Sequence, residues 1–393
     1  MRIRVIETLD EVPCEQWNAL QLMGSPFLRH EFLQLLEKTG CANRTSGWAA
    51  RHLLVQGPDG TLLGAAPLYL KPHSWGEFVF DWSWASAYGR AGLNYYPKLV
   101  CAVPFTPASG TRLLVKAGAD ASAVRSALVQ AMLTLAREQR VSSVHILFPA
   151  DDELATCVRA GFAARKDCQF HWFNRGYCSF DAFLDTFRAD KRKKAKRERR
   201  RIEEAGVHFL TLNGLQMTAE LWDIVYGFSA ANFARHGHEH YLTAEFFKAI
   251  ATALPDNIMV KLAVAGSRPV AAAIFFESDD TLYGRYWGAG VDFHSLHFET
   301  CYYQGIDYCI AKGLQRFEPG TQGEHKVPRG FEPSFTHSVH WIGDPRFDRA
   351  IRDFLSREAQ GVDEYAQSVR DHVPFRRDPA THEDPALWDP SSG

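Results

Sequence analysis

Two stretches of this sequence gather residue types that do chemistry. The first is Lys191-Arg-Lys-Lys-Ala-Lys-Arg-Glu-Arg-Arg-Arg201, in which nine of eleven residues are basic although the 393-residue chain has a formal net charge of only −2. Good helix formers followed by Gly206 predict a helix with a glycine C-cap. A helix so charged cannot bury all its faces. Its cations meet either water, as in a plain connecting helix, or an anion such as phosphate. Lys193, Lys194, Arg197 and Arg200 are the residues expected to hold that anion. The second stretch is Glu318-Pro-Gly-Thr-Gln-Gly-Glu-His-Lys-Val-Pro-Arg-Gly-Phe331, which packs three glycines and two prolines around Glu324, His325, Lys326 and Arg329. Fixed backbone bends around a charged cluster are a way to build a site on a loop. Lys326 is the first candidate for a catalytic role, with Glu324 and His325 as candidate bases and Arg329 as a candidate substrate ligand. A structural ion pair is the competing reading of the lysine.

Two further patterns carry chemistry of a less specific kind. Thr281-Leu-Tyr-Gly-Arg-Tyr-Trp-Gly288 reads as a strand in which Arg285 shares a face with Tyr283 and Trp287. A guanidinium on an aromatic face needs a carboxylate or an anionic ligand. With Gly288 and Gly290, Arg285 also fits the R-x-x-G-x-G pattern whose amides hold a pyrophosphate ahead of a helix. Arg285, Gly288 and Gly290 are therefore expected at a cofactor, and Tyr283 and Trp287 at a substrate. In the first part of the chain, Lys71 to Trp82 alternates as a strand that places Glu77 and Asp81 on one face. Those carboxylates are either candidate general bases or a hydrated strand edge. The Gly-, Pro- and aromatic-rich stretches 88–98 and 104–112 suit either the wall of a ligand groove or a packing surface between domains.

The elements that must position these residues recur. Phe27-Leu-Arg-His-Glu-Phe32 and Tyr241-Leu-Thr-Ala-Glu-Phe246 both open amphipathic helices. A predicted strand pair follows each, with hairpin chemistry at Gly57-Pro-Asp-Gly60 and Gly266-Ser267. Next come a long helix and a short strand, over 124–148 and again over 298–317. Gly161-Phe162 with His171-Trp172 then returns as Gly330-Phe331 with His340-Trp341 at the same internal spacing. Four elements in one order imply a tandem duplication, and the offset between copies places extra residues of the first copy at about 71–115. The expected organisation is a first unit at 1–185, a connecting basic helix at 186–206, a second unit at 207–360, and a disordered tail at 361–393 rich in Pro and acids.

Composition sets the bounds. A hydrophobic fraction of 46% is ample for two cores. No apolar run approaches membrane-spanning length, and no apolar signal region follows Met1. Eight scattered cysteines without ligand spacing predict a reduced, cytoplasmic protein and no metal.

The order of elements resembles tandem GNAT acyltransferase domains. More closely, the chain is similar to the FemAB-like family of peptidoglycan biosynthesis/recognition proteins. The stretches that carry the resemblance are Lys71-Pro-His-Ser-Trp-Gly-Glu-Phe-Val-Phe-Asp81, Tyr95-Tyr-Pro-Lys98, Pro104-Phe-Thr-Pro107, Lys191-Arg-Lys-Lys194, Leu282-Tyr-Gly-Arg-Tyr-Trp-Gly288, His297-Phe-Glu-Thr-Cys-Tyr-Tyr-Gln304 and Gly323-Glu-His-Lys326 with Arg329-Gly-Phe331. They span roughly residues 25 to 345. The resemblance implies an α/β fold with mixed sheets, two tandem GNAT-like units, and transfer of an acyl or aminoacyl group to an amine acceptor, a small molecule or a peptide. The donor would be acyl-CoA or aminoacyl-tRNA. Lys326 stands where Fem transferases carry a lysine-rich segment ending in Gly-Phe. This chain departs from them in its short inter-domain helix and in a first copy that lacks the Arg-x-x-Gly-x-Gly residues. The rival expectation is a non-catalytic module that binds RNA or an anionic glycan through the basic helix.

Overall fold

The computed structural model describes residues 1–293, 295–321 and 323–376. The first half of the chain supplies strands β1 (Arg2–Ile6), β2 (Ala49–Ala50), β3 (His52–Gln56), β4 (Leu62–Ala66), β5 (Leu68–Lys71), β6 (Lys98–Cys101), β7 (Leu114–Val115), β8 (Ser143–Leu147) and β9 (Ala163–Phe173). The second supplies β10 (Val207–Asn213), β11 (Ile258–Ala265), β12 (Arg268–Glu277), β13 (Thr281–Ala289), β14 (Arg316–Glu318) and β15 (Glu332–Ile342). A small sheet runs β1-β3-β4-β7. The main sheet has eleven strands in the order β10-β11-β12-β13-β14-β9-β15-β8-β6-β5-β2. Helices cover both faces, so the central strands are buried on both sides and read as nearly continuous apolar runs, as in Ile258-Met-Val-Lys-Leu-Ala-Val264.

The two halves are joined by an exchange of strands. β9 closes the first copy yet pairs with β14 of the second, and β15 closes the second yet pairs with β8 of the first. β9 and β15 pair with each other, antiparallel, at the centre of the sheet. Their register places Ala163 opposite His340, Asp167 opposite Thr336 and His171 opposite Glu332. The repeat spacing that carries Gly161 to Gly330 maps this register onto itself, with Asp167 and Thr336 as each other's counterparts. A pseudo-two-fold axis therefore passes between them, and the two Gly-Phe…His-Trp segments are equivalent strands. A second contact between counterparts lies off the sheet. Phe32 on helix His30–Lys38 meets Phe246 on helix Ala244–Ala253, edge to face with ring centroids 5.4 Å apart.

Elsewhere the structure departs from the expected elements. No strand continues beyond Lys71. Residues 72–81 turn sharply, with φ of +79° at Gly76 and +60° at Phe78, and helix Trp82–Arg90 follows. The cause is a buried ammonium. Lys98 Nζ donates to Ser74 Oγ (2.7 Å), Glu77 Oε2 (2.8 Å) and Asp81 Oδ2, pulling three side chains of the segment inward. The division into units also differs. Residues 361–370, expected in a disordered tail, form the end of helix Pro345–Arg370, which is capped by the Asp344 side chain and buries Ile351, Leu355, Ala366 and Val369. It lies across β9 and β15 and is tied to β9 by the Arg165–Glu358 ion pair (2.7 Å). Residues 371–376 are ordered as well, with Phe375 paired to Phe187, and 377–393 lie outside the described residues.

Each half contributes a central strand to the other, so neither has a complete sheet alone. Cutting the chain in the 174–179 connection should give fragments 1–175 and 176–376 that co-purify one to one when co-expressed and melt cooperatively only together. A cooperative melt of either fragment alone, near the temperature of the intact chain, would contradict the exchange.

Candidate active site

The basic helix, Ala189–Glu204, docks through Ala195, Glu198 and Ile202, the only residues of it that are buried. Their spacing of three and four residues defines one helical face. Glu198 is the single acid in the basic run, and it is held from the loop side. Arg329 Nη2 donates to both its carboxylate oxygens (2.8 and 3.0 Å), and Tyr303 Oη donates to Oε2 (2.7 Å). The Arg329 guanidinium also lies 3.3 Å over the ring of Phe298 and donates to the His325 carbonyl (2.6 Å). The two stretches singled out in the sequence are thus bolted together.

Between them opens a cleft of about 360 Å³. One wall is Lys194, Arg197 and Arg201 with Glu198. The other is Phe298, His325, Pro328 and Arg329. Residues 194, 197 and 201 share a helix face, and among the described residues none of the three has an ion-pair partner. The helix's other cations mostly do: Arg192 with Asp185 (3.1 Å), Lys196 with Asp181 (2.8 Å), Arg199 with Glu299 and Asp307 (3.2 Å each) and Arg200 with Glu204 (3.8 Å). Of the four cations expected at an anion, Lys194 and Arg197 line the cleft, whereas Lys193 and Arg200 are exposed outside its lining. Arg201 was missed, although it continues the spacing of 194 and 197. Glu198 and Phe298 were also missed. The signal for Glu198 is a lone acid at helical spacing from Ala195 and Ile202.

Lys326 sits in a six-residue 3-10 turn, Glu324–Arg329, flanked by Gly323 and Gly330 at φ of +111° and +93°. A Cβ on Gly330 would come within 2.6 Å of the Phe183 ring, so the turn needs glycine there for space as well as for conformation. The lysine is only 2% exposed. Its Nζ donates to the Gly320 carbonyl (2.6 Å), and among the described residues no carboxylate is paired with it. Burial lowers its pKa to about 7. Nearby Cys301 offers no counter-charge, because burial pushes its thiol well above the ordinary range. His325 is exposed, with Nε2 on Tyr302 Oη (2.8 Å). Its ring continues a series through His297 (5.8 Å) to Trp287 (5.2 Å). Burial keeps His297 neutral, with a pKa lowered to about 4. Glu324 points outward and accepts from Tyr365 of the long helix (2.8 Å).

The remaining candidates lie elsewhere. Glu77 and Asp81 converge on Lys98 in the first half, not on the 323–331 loop. Burial raises Glu77 to about 7, whereas at Asp81 the effect of burial is outweighed by Lys98, leaving it at about 2. Tyr283 is core, edge-on to Phe27 at 4.9 Å. Arg285 donates to the Phe105 carbonyl, across the seam between the halves. Gly288 lies inside β13, where a Cβ would stand 2.1 Å from the Phe228 carbonyl carbon and oxygen. A Cβ at Gly290 would meet the Phe228 ring at 2.7 Å, and the Gly290 amide donates to the Val270 carbonyl (2.9 Å). These glycines let helix Ala219–Arg235 press against the strand. The expected pyrophosphate cradle at Arg285, Gly288 and Gly290 is therefore replaced by packing.

The halves also differ where their paired parallel strands part. β13 and β14 pair over Thr281–Tyr283, and β6 and β8 pair over Leu99–Cys101. In the first half the gap beyond is filled by Arg112, whose guanidinium donates to the carbonyls of Leu147 (2.8 Å), Gly110 (2.9 Å), Thr111 (2.9 Å) and Ala108 (2.6 Å). In the second half the chain leaves β14 through Pro319 to Gly320, the anchor of Lys326. Among the described residues no cluster of His, Cys, Asp or Glu is arranged to hold a metal ion, and no helix is long and apolar enough to cross a membrane.

With this geometry in hand, the chain belongs to the FemAB-like family, described as peptidoglycan biosynthesis/recognition, which it matches over residues 8–377. No curated protein sequence matches it significantly. Among solved structures it is similar to FemX, at a TM-score of 0.52 and 13% identity, covering 90% of this chain and 100% of that one. It is also similar to L-PGS from Bacillus licheniformis (TM-score 0.51, 11% identity, 84% and 97% covered). A third likeness is to the C-terminal domain of a putative lysylphosphatidylglycerol synthetase from Agrobacterium fabrum (0.50, 10%, 76% and 86%). The likenesses show a fold shared with these structures, built in this chain from two tandem α/β units.

Gly288→Ala separates packing from phosphate binding. Overpacking against the Phe228 backbone should cost about 1–3 kcal/mol, read as a lower denaturant midpoint. A variant as stable as wild type would restore the glycine to a ligand role.

Proposed function

We propose that the chain transfers an acyl or aminoacyl group from an anionic donor to an amine, at the cleft between the basic helix and the Lys326 turn, and that the acceptor is a cell-wall precursor. The observation that carries this reading is Lys326. It is a buried lysine held near neutrality that, among the described residues, has no carboxylate partner, on the turn whose His325, Pro328 and Arg329 face three helix cations that also lack one there. A structural lysine would have a counter-ion; this one gains its charge back when an anion arrives. The donor's phosphates lie along Lys194, Arg197 and Arg201. The acceptor nitrogen attacks the donor carbonyl carbon, forming the C–N bond, and the oxyanion that develops is met by the Lys326 ammonium. With Nε2–H donated to Tyr302, His325 keeps its Nδ1 lone pair free to take the proton lost by the amine. Collapse breaks the bond to the leaving oxygen or sulfur, which takes up a proton. Arg329 acts by position, holding the His325 carbonyl and Glu198.

The donor fits aminoacyl-tRNA better than acyl-CoA. The three cations spread over about 10 Å of helix, the span of successive phosphodiesters, and Gly288 and Gly290 offer no pyrophosphate cradle. The family's printed description supports the cell-wall acceptor, and eight unpaired cysteines suit the reducing cytoplasm where such precursors are made. The second reading, a recognition module for an anionic polymer, is favoured by the same three cations and parts from the first at Lys326, which polymer binding alone does not need.

The experiment is transfer itself. Incubated with aminoacyl-tRNA, or in a second arm acyl-CoA, and an amine-bearing peptidoglycan precursor, the protein should add one acyl mass to the precursor, and Lys326→Met should abolish this while still binding tRNA. Binding without transfer in every arm would favour the recognition reading. Stability gives an independent check. Folded Lys326 binds fewer protons than the unfolded chain between its pKa of about 7 and the ordinary 10.5. Its burial therefore costs most stability below that window and progressively less through it. Lys326→Met should melt above wild type at about pH 6, with the gap closing by about pH 10. A gap independent of pH would mean that the lysine is not buried in its charged form.

A further inference from the structure

Residues 72–97 of the first half take no part in the cleft, and they present large apolar side chains to solvent. Trp75 is 54% exposed, Phe80 53% and Trp82 39%, and Leu93 is exposed just beyond the end of helix Trp82–Arg90. Trp75 and Trp82 meet with ring centroids 5.3 Å apart. The exposed positions of the helix, 82, 83, 86, 89 and 90, follow the helical repeat, so one outward face joins Trp82 to Leu93 through Ser83, Ser86, Gly89 and Arg90. The rings do not stand out because the chain is loose. Lys71 Nζ donates to the Trp75 carbonyl (3.1 Å) and Arg165 Nη1 to the Phe80 carbonyl (2.8 Å), so a cation pins the backbone beneath each. A fixed cluster of exposed apolar side chains marks a surface that meets something other than water.

The charges around the cluster decide what it meets. The two acids of the segment, Glu77 and Asp81, are drawn inward to Lys98. The exposed residues from Pro72 to Pro97 include no acid and one arginine, Arg90. Beside the helix, Phe347 lies against Tyr88 (3.9 Å), and the acids there, Asp344 and Asp348, are paired with Arg346 (2.7 Å) and Arg352 (2.9 Å). The loop that sets His238 5.9 Å from Trp75 adds Arg235 and Glu239, whose charges offset each other. Tryptophans with a phenylalanine, a leucine and an arginine, among serine, glycine and asparagine, are the residues of a membrane interface. There indoles lie at headgroup level, apolar tips enter the acyl boundary and a guanidinium meets lipid phosphate. We propose that this patch seats the protein on an anionic bilayer, with Trp75, Phe80, Trp82 and Leu93 in the interface and Arg90 at the phosphates. The contact is peripheral, since no described helix is long and apolar enough to cross a membrane. With few side chains and one cation it is weak and reversible. The patch is a different surface from the cleft, so it stands or falls apart from the transfer reading.

The test floats the intact protein with vesicles of phosphatidylglycerol and phosphatidylcholine, and with vesicles of phosphatidylcholine alone, in the absence of donor and acceptor. The protein should rise with both, and more with the anionic ones. Trp75→Ser, Phe80→Ser and Leu93→Ser together should lower partitioning at least about tenfold at an unchanged melting temperature, and Arg90→Gln about fivefold on the anionic vesicles alone. A photoactivatable phosphatidylcholine in the vesicles should label residues 75–93 of the wild type, a readout that needs no variant. The basic helix also attracts anionic lipid, so Lys194→Gln, Arg197→Gln and Arg201→Gln together are the control, and the label should stay in 75–93. Failure to float with either vesicle, label confined to 189–204, or binding that survives the triple serine change would each overturn the membrane surface. So would a chain that ignores vesicles yet binds a soluble disaccharide-peptide through the same three side chains, which would make the rings a sugar platform. Transfer to a soluble precursor without vesicle binding would remove this proposal and leave the cleft reading intact.

Discussion

The pair Glu198–Arg329 holds the candidate site together. Both side chains are almost fully buried, so each would be costly without the other. Glu198 takes the guanidinium and the Tyr303 hydroxyl. Arg329 is also stacked on Phe298 and bonded to the His325 carbonyl. The helix therefore cannot rotate, and the 324–329 turn cannot shift, without breaking a buried ion pair. A pair of this kind contributes little net stability compared with apolar packing, and its value lies in fixing one arrangement. What it fixes is a face of three cations, without ion-pair partners among the described residues, opposite the turn that carries Lys326.

The duplication explains why there is one such site and not two. The axis through Asp167 and Thr336 makes the frameworks equivalent, yet the side chains at matching points have diverged. Val144 and Phe317 are counterparts, each lying opposite a tryptophan of the repeat, Trp341 or Trp172. The next positions are therefore counterparts too, and there the first half has His145 where the second has Glu318. His145 belongs to a closed network with Tyr95 (3.2 Å), Ser143 (2.8 Å) and His340 (2.6 Å). In that half Arg112 fills the gap between the parting strands, and Lys98 is surrounded by Ser74, Glu77 and Asp81. The first half has turned its polar groups inward on one another. In the second, among the described residues, Lys326 meets a backbone carbonyl and no carboxylate, and Lys194, Arg197 and Arg201 have no ion-pair partner.

The sequence revealed what depends on local pattern. The repeated helices, hairpins and Gly-Phe…His-Trp strands were legible because spacing and apolar periodicity survive duplication. The exchange of β9 and β15 was not, because a strand's own pattern does not name its neighbours. The alternation at 71–82 misled for a physical reason. Glu77 and Asp81 are inward-facing polar residues that bind Lys98, a partner seventeen residues away from Asp81, and only that tertiary contact explains their spacing. Gly288 and Gly290 gave the same signal for a phosphate cradle as for the approach of a helix backbone, and in the fold Phe228 occupies the space. In the basic run the charge was obvious, whereas which cations point at a ligand depended on where Ala195, Glu198 and Ile202 are buried.

The central claim is that the basic helix and the Lys326 turn form one ligand site. Amide hydrogen exchange, with and without saturating aminoacyl-tRNA, tests it most directly. The account predicts slowed exchange in residues 191–204 and 323–331 together, with 72–112 of the first half unchanged. Slowing confined to the helix, or centred on the first half, would contradict it.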